Sequence, residues 1–347
     1  MRILAVALAL SSMLTVEQRD TRRAHLDPAS AAVSADGRYV AFTTFSQLAP
    51  ADVDNHRDVY VLDRVTHRVT LETLPRDRLQ SADSSHPAMS GDGRFLVYES
   101  GSQITYRDRR EDITRVLGEG RQPAISQNGR IAAFTSDTAK DILLWSIDSG
   151  MLGGLGAAKA LAGAAPVSPS LDVDGRHLAF SAIGSIYVHD RVTKMTDRIA
   201  DGWDPAMTAD GRYIAFVAKV GKLRNVLLID RSTGKTEVIS RSVKHRTANG
   251  ASLNPAISAD GRFVAFQSEA SNLVESEDFN LLWDVFVFDR ERMMTLRVSG
   301  DPDAGWMEPS GGPALDAEGA IVAFSSRHPT DVSDKKNDFD LFVASVR

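Results

Sequence analysis

One twelve-residue phrase, Pro255-Ala-Ile-Ser-Ala-Asp-Gly-Arg-Phe-Val-Ala-Phe266, is written seven times along this chain. Pro87–Tyr98, Pro123–Phe134, Pro169–Phe180, Pro205–Phe216 and Pro313–Phe324 repeat it, and Ala31–Phe42 repeats it with Ala31 in the proline slot. The glycines of the copies are Gly37, Gly93, Gly129, Gly175, Gly211, Gly261 and Gly319, standing 36 to 58 residues apart. Self-similarity at that period excludes a set of unrelated domains and points to one repeating architecture.

Each copy is a short apolar run, then Asp-Gly (Asn128-Gly129 and Glu318-Gly319 are variants), then a second apolar run. Asp-Gly suits the positive φ angles of a tight hairpin, so the phrase reads as two antiparallel strands. The second run, such as Tyr39–Phe42 or Tyr213–Phe216, does not alternate with polar residues. A strand apolar on both faces is covered on both faces, as when sheets stack. A third strand follows in most copies, and five close on Asp-Arg: Asp63-Arg64, Asp108-Arg109, Asp190-Arg191, Asp230-Arg231 and Asp289-Arg290. Recurrence at one turn makes these pairs structural, with Asp bonding the turn and Arg covering neighbouring strands. A fourth β-rich run, such as Arg68–Thr73 or Lys235–Ser240, completes the unit. In the third repeat that run is Met151–Gly163, rich in glycine and alanine, and either a weak strand or a short helix fits it.

Four strands per repeat describe a propeller blade. The phrase resembles the TolB-like propeller repeats, bacterial relatives of WD repeats, over residues 31 to 347. The resemblance implies an all-β, seven-bladed propeller of four-stranded antiparallel blades. It implies function only loosely, because propellers host both binders and enzymes.

The seventh repeat ends at Leu341–Val346, one strand short of a blade. The segment Thr21–Leu26 precedes the first repeat and is expected to supply the missing strand, closing the ring and removing an open sheet edge. Ahead of it, Ile3–Leu14 is an apolar run behind Arg2, too short to span a bilayer. It reads as a signal peptide within residues 1–15, cut after Ser11 or a few residues later, with residues 16–347 forming one propeller domain. A chain without cysteine suits the periplasm or the medium. The net charge of −6, with basic residues scattered, argues against nucleic acid or an anionic membrane as partner. The chain is read as a monomer.

Loop lengths give the sharpest functional signal. Loops between strands two and three are long in repeats one (Phe45–Arg57), six (Ala270–Trp283) and seven (Arg327–Asp338). Connections to the next blade are long after repeats one (Pro75–His86), five (Arg241–Asn254) and six (Gly300–Gly312). All six fall on one face and over one arc, where function usually sits on a rigid scaffold. The arc carries His56, Arg57, His86, His245, Arg246, Trp283, Trp306 and Glu308 as candidate binding residues. Two tryptophans among charges suit a protein or carbohydrate surface, though both also suit packing of loops onto blades.

Two further sets lie on that face. Asp52, Asp54 and Asp58 place oxygen donors at spacings that suit calcium, with Asp278 and Asp334 in the same column as Asp52. The same acids equally serve as turn formers and strand caps, so no cofactor is assigned. The residues before the blade prolines, Ser30, His86, Gln122, Ser168, Asp204, Asn254 and Gly312, are expected to ring the channel mouth. No Gly-x-Ser-x-Gly, His-Glu-x-x-His or Walker motif occurs. The leading expectation is a binding or scaffold protein for another protein or an envelope polymer. The alternative is a polysaccharide lyase or hydrolase at the channel mouth, with His86 and Asp204 as first candidates.

Overall fold

The structure, a computed structural model, describes residues 15–17, 31–73, 82–156, 161, 165–244, 247–275, 282–299, 309–326 and 340–346. Seven four-stranded antiparallel sheets make up the described fold. Blade 1 runs outward from the axis as Ala31–Val33, Tyr39–Thr44, Asp58–Asp63 and Arg68–Leu71. Blades 2 to 6 repeat that order with inner strands at Ser84–Met89, Arg121–Ile125, Val167–Leu171, Trp203–Met207 and Ser252–Ile257. The doubtful run of blade 3 is a strand, Met151–Gly154, paired along Asp141–Ser146.

Blade 7 differs in its source of strands. Ser310–Leu315, Ile321–Ser326 and Asp340–Ser345 come from the C-terminal end, and the outermost strand is Thr15–Glu17. It pairs antiparallel as Thr15 with Ser345 and Glu17 with Val343. The N-terminal segment therefore does complete the last blade, through Thr15–Glu17; the expected strand, Thr21–Leu26, lies outside the described residues.

The packing explains the repeated phrase. In every blade the second strand sends alternate residues to opposite faces. Val40 and Phe42 enter a core shared with blade 7, while Ala41 enters the core shared with blade 2. Val264 and Phe266 likewise meet blade 5, and Ala265 meets blade 7. The large residues thus look back to the preceding blade and the alanine looks forward. A bulky side chain on the forward face would displace the next blade's aromatic ring. Seven such cores, one per blade–blade interface, account for the apolar burial among the described residues.

A continuous set of backbone hydrogen bonds ties the blades at the turn end of the axis. Ala35 N donates to Gly91 O, Gly91 N to Gln127 O and Asn128 N to Val173 O. Val173 N then donates to Ala209 O, Ala209 N to Ala259 O, Ala259 N to Ala317 O, and Ala317 N back to Ala35 O, all at 2.7 to 3.2 Å. The circle has no break, so blade 7 meets blade 1 as any neighbours meet. The channel holds a cavity of about 140 Å³ lined by residues of this circle, by one apolar side chain per blade, such as Met89, Ile125 and Leu171, and by Asp172 and Asp316.

The Asp-Arg pairs act as clasps, with one element the sequence alone did not suggest. Asp63 accepts the turn amide of Val65 at 3.0 Å and is held at both oxygens by Arg38, the arginine of the Asp-Gly-Arg phrase. Arg64 in turn donates to the carbonyl of the turn glycine, Gly37, at 2.8 Å. Blades 2, 4, 5 and 6 repeat the arrangement through Arg94–Asp108, Arg176–Asp190, Arg212–Asp230 and Arg262–Asp289. Two clasp arginines also reach the preceding blade. Arg109 meets Glu72 at 2.8 Å over the Tyr39 ring, and Arg290 meets Glu237 at 2.7 Å over Tyr213. No helix among the described residues is long and apolar enough to cross a membrane.

Candidate binding face

Antiparallel order places the two-to-three loops and the blade-to-blade connections at one end of the strands and the hairpin turns at the other. The loop end is where each inner strand begins, and there the backbone does something regular. His86, Gln122, Ser168, Asp204 and Asn254 have φ between 49° and 53°, and Gly312 has 61°. Each stands at a register shift in its inner strand, as between Ser85 and Ala88 or Trp203 and Ala206. A left-handed residue before proline is sterically unusual, and proline removes a donor, so the strand bulges there. These are six described members of the expected pre-proline ring; Ser30 lies outside the described residues.

Four consecutive blades link this ring through side chains. His86 Nδ1 lies 3.2 Å from Glu99 Oε2, and Glu99 Oε1 accepts the Gln122 amide at 2.6 Å. Gln122 Oε1 accepts the Ser168 amide at 3.1 Å, and Ser168 Oγ donates to Asp204 Oδ1 at 3.0 Å. Burial opposes ionisation of Glu99, but hydrogen bonds from His86, the Gln122 amide and Ser85 outweigh it and hold the carboxyl below its ordinary value. Gln267 plays the same part for blade 7, accepting the Gly312 amide at 3.0 Å. Neither Glu99 nor Gln267 was anticipated. Their signal is a long polar side chain after the second-strand aromatic, where blades 1, 3, 4 and 7 carry Thr43, Thr135, Ser181 and Ser325.

The long loops that fall among the described residues are folded against the blades. In blade 1, Leu48 and Ala49 pack on the core shared with blade 7, and Leu48 N donates to the Tyr60 hydroxyl at 3.2 Å. His56 and the Arg57 amide turn to Asp83 on the outgoing connection, at 3.4 and 3.1 Å, and the Arg57 guanidinium lies over Phe45. Between blades 5 and 6, Asn249 exchanges hydrogen bonds with Ser271, and Ala248, Ala270 and Leu273 are buried beneath. Trp283 is half-buried, and its carbonyl accepts the Ser310 amide at 2.6 Å, joining blade 6 to blade 7. His245, Arg246, Trp306, Glu308, Asp278 and Asp334 lie outside the described residues.

The acidic columns separate. Asp58 accepts the Thr73 hydroxyl, Asp284 the Ser299 hydroxyl at 2.7 Å, and Asp141 the Gly156 amide at 2.7 Å. In blades 1, 3 and 6 that column clasps the start of the third strand to the exit of the fourth. Asp52, Asp54 and Asp58 form a group of carboxylates within 4.8 Å of one another. Burial, opposed by Thr73 and reinforced by Asp52 and Asp54, pushes the Asp58 carboxyl up to about 6. A feature not singled out from sequence lies on the opposite, loop-poor arc. Trp203, 37% exposed, sits beside Asp204 with Arg224 over its ring, and it neighbours the short loop bearing exposed Ile183.

No family model matches the chain, and no curated protein matches it in sequence. Solved structures similar to it include the β-propeller domain of Cps50 (Swd1) from Myceliophteria thermophila. That likeness has a TM-score of 0.63 at 14% identity, covering 94% of this chain and 99% of that one. Oligogalacturonate lyase from Vibrio parahaemolyticus is similar at TM-score 0.63 and 12% identity, over 96% of this chain and 93% of that one. A putative TolB from Agrobacterium tumefaciens is similar at TM-score 0.51 and 16% identity, over 70% and 87%. At such identities the likeness speaks for the fold: the chain is a seven-bladed β-propeller.

Proposed function

We propose that this is an exported, TolB-like propeller that binds another protein or a cell-envelope polymer on its loop face, in the periplasm or outside the cell. One observation carries the reading: the described long loops are folded structures packed beside a polar channel mouth, all on one face. The pre-assembled surface favours recognition, because little ordering remains to be done on binding. Trp203 extends the candidate surface across the mouth, opposite the loops. Export is supported by the apolar run Ile3–Leu14 behind Arg2 and by the lack of cysteine. Co-sedimentation with isolated envelope polymer, alongside cross-linking mass spectrometry in the native cell, tests it. Trp283→Ala and Trp203→Ala are expected to weaken capture at least fivefold, while Val192→Glu on the turn face leaves it unchanged. Capture lost with the turn-face variant, or kept in both tryptophan variants, contradicts the reading.

A second reading, a polysaccharide lyase or hydrolase, is favoured by the hydrogen-bonded run from His86 through Glu99 to Asp204 at the mouth. The check is incubation with uronate and neutral polysaccharides, following unsaturated ends by ultraviolet absorbance and new reducing ends by colorimetry. Chain cleavage abolished by His86→Ala would move the assignment to an enzyme.

A further inference from the structure

The loop Phe45–Arg57 of blade 1 brings three acids together at the head of the third strand. One carboxylate oxygen from each of Asp52, Asp54 and Asp58 lies within 4.8 Å of the others. Asp52 is only 7% exposed. Its Oδ2 accepts the Tyr60 hydroxyl, but its Oδ1 is buried with no hydrogen-bond donor. A buried carboxylate oxygen left unanswered is costly, and native proteins seldom tolerate one without a ligand or a donor. Asp54 Oδ1 is taken by the His56 amide at 2.9 Å and Asp58 Oδ1 by the Thr73 hydroxyl, so each carboxylate keeps one oxygen outside these bonds. The neighbouring imidazole of His56 turns its Nδ1 to Asp83, at 3.4 Å. Among the described residues, none of the three acids is ion-paired.

We propose that Asp52, Asp54 and Asp58 hold a calcium ion that pins the blade 1 loop to the propeller. Hard oxygen donors and no nitrogen or sulfur select calcium or magnesium over transition metals. Ligand oxygens all within 4.8 Å of one another can reach one calcium ion, whose bonds of about 2.3–2.6 Å set its opposite ligands roughly that far apart. Magnesium, with bonds of about 2.0–2.1 Å and strict octahedral demands, suits a tighter cage. The ion would link the loop, through Asp58 and Thr73, to the exit of the fourth strand. This inference stands apart from the envelope-binding reading and survives its failure.

The test uses the full chain freed of metal by chelator. Calorimetric titration with calcium is expected to give one site, and calcium should raise the melting temperature. Terbium should bind the same site and be excited through the Tyr60 phenol, its emission falling in Tyr60→Phe and on competition by calcium. Asp54→Asn, at an exposed position, should weaken calcium at least tenfold while keeping the wild-type circular dichroism spectrum. Asp52→Asn should do the same if it folds, and Asp83→Asn should leave affinity unchanged. No saturable binding at millimolar calcium, wild-type affinity in Asp54→Asn, or magnesium binding as tightly as calcium would each overturn the proposal.

Discussion

Gly261 has two separate reasons to be glycine. Its φ is +75°, in the left-handed region, and a Cβ built there would lie 2.7 Å from Cδ2 of Tyr213 in the preceding blade. Gly234 shares the backbone angle, at +71°, but faces open space. Gly234→Ala therefore isolates the conformational cost, about 1 kcal/mol. Gly261→Ala adds the collision with a packed ring, raising the loss to about 2–4 kcal/mol. Chemical denaturation of both variants checks the difference. Equal losses would mean that the turn glycines do not seat the blades against one another. The same two demands explain why the turn glycine stands in all seven copies while the residue before it varies, and why the hairpins were legible from sequence alone.

At the scale of elements, the clasps hold the second-strand turn to the end of the third strand. Burial raises the Asp289 carboxyl, but Arg262, Arg292 and the turn amides outweigh it and hold it at about 2. The folded value lies below the ordinary carboxylate value, so the ionised form favours folding. That contribution is present above about pH 4 and is lost as pH falls towards 2. Allowing for partial screening, it amounts to about 1–2 kcal/mol. Asp289→Asn is thus expected to cost about that much at pH 7 and little near pH 2, read by urea unfolding across the range. A loss of the same size at both ends would assign Asp289 a packing role only.

What sequence showed at this scale follows from repetition. The phi-Ala-Phe pattern, the Asp-Arg ends and the loop lengths each recur, and recurrence separates structure from accident. What it concealed does not recur. Thr15–Glu17 is a three-residue edge strand with no period to detect, so Thr21–Leu26 was the expected partner and the register had to come from the structure. Glu99 and Gln267 are single departures from a small polar position, and their role as braces of the channel mouth depends on contacts with the next blade. The ring of polar pre-proline residues was legible as a set. Its left-handed backbone was not, because proline ordinarily steers its predecessor towards extended geometry.

At the scale of the molecule, every statement about faces depends on a ring that closes. The unbroken circle of backbone hydrogen bonds, the core shared by blades 1 and 7, and the N-terminal strand on Asp340–Ser345 are three expressions of that closure. A cysteine-free chain offers a direct test, because any disulfide formed must be the one introduced. Thr15→Cys and Ser345→Cys place two thiols on directly paired residues. The closed ring predicts near-complete oxidation of the double variant in the full-length chain, residue 15 retained, seen as faster non-reducing migration, a mass lower by two hydrogens, and a raised melting temperature. Thiols that stay reduced, with a melting temperature unchanged by oxidant, would contradict it.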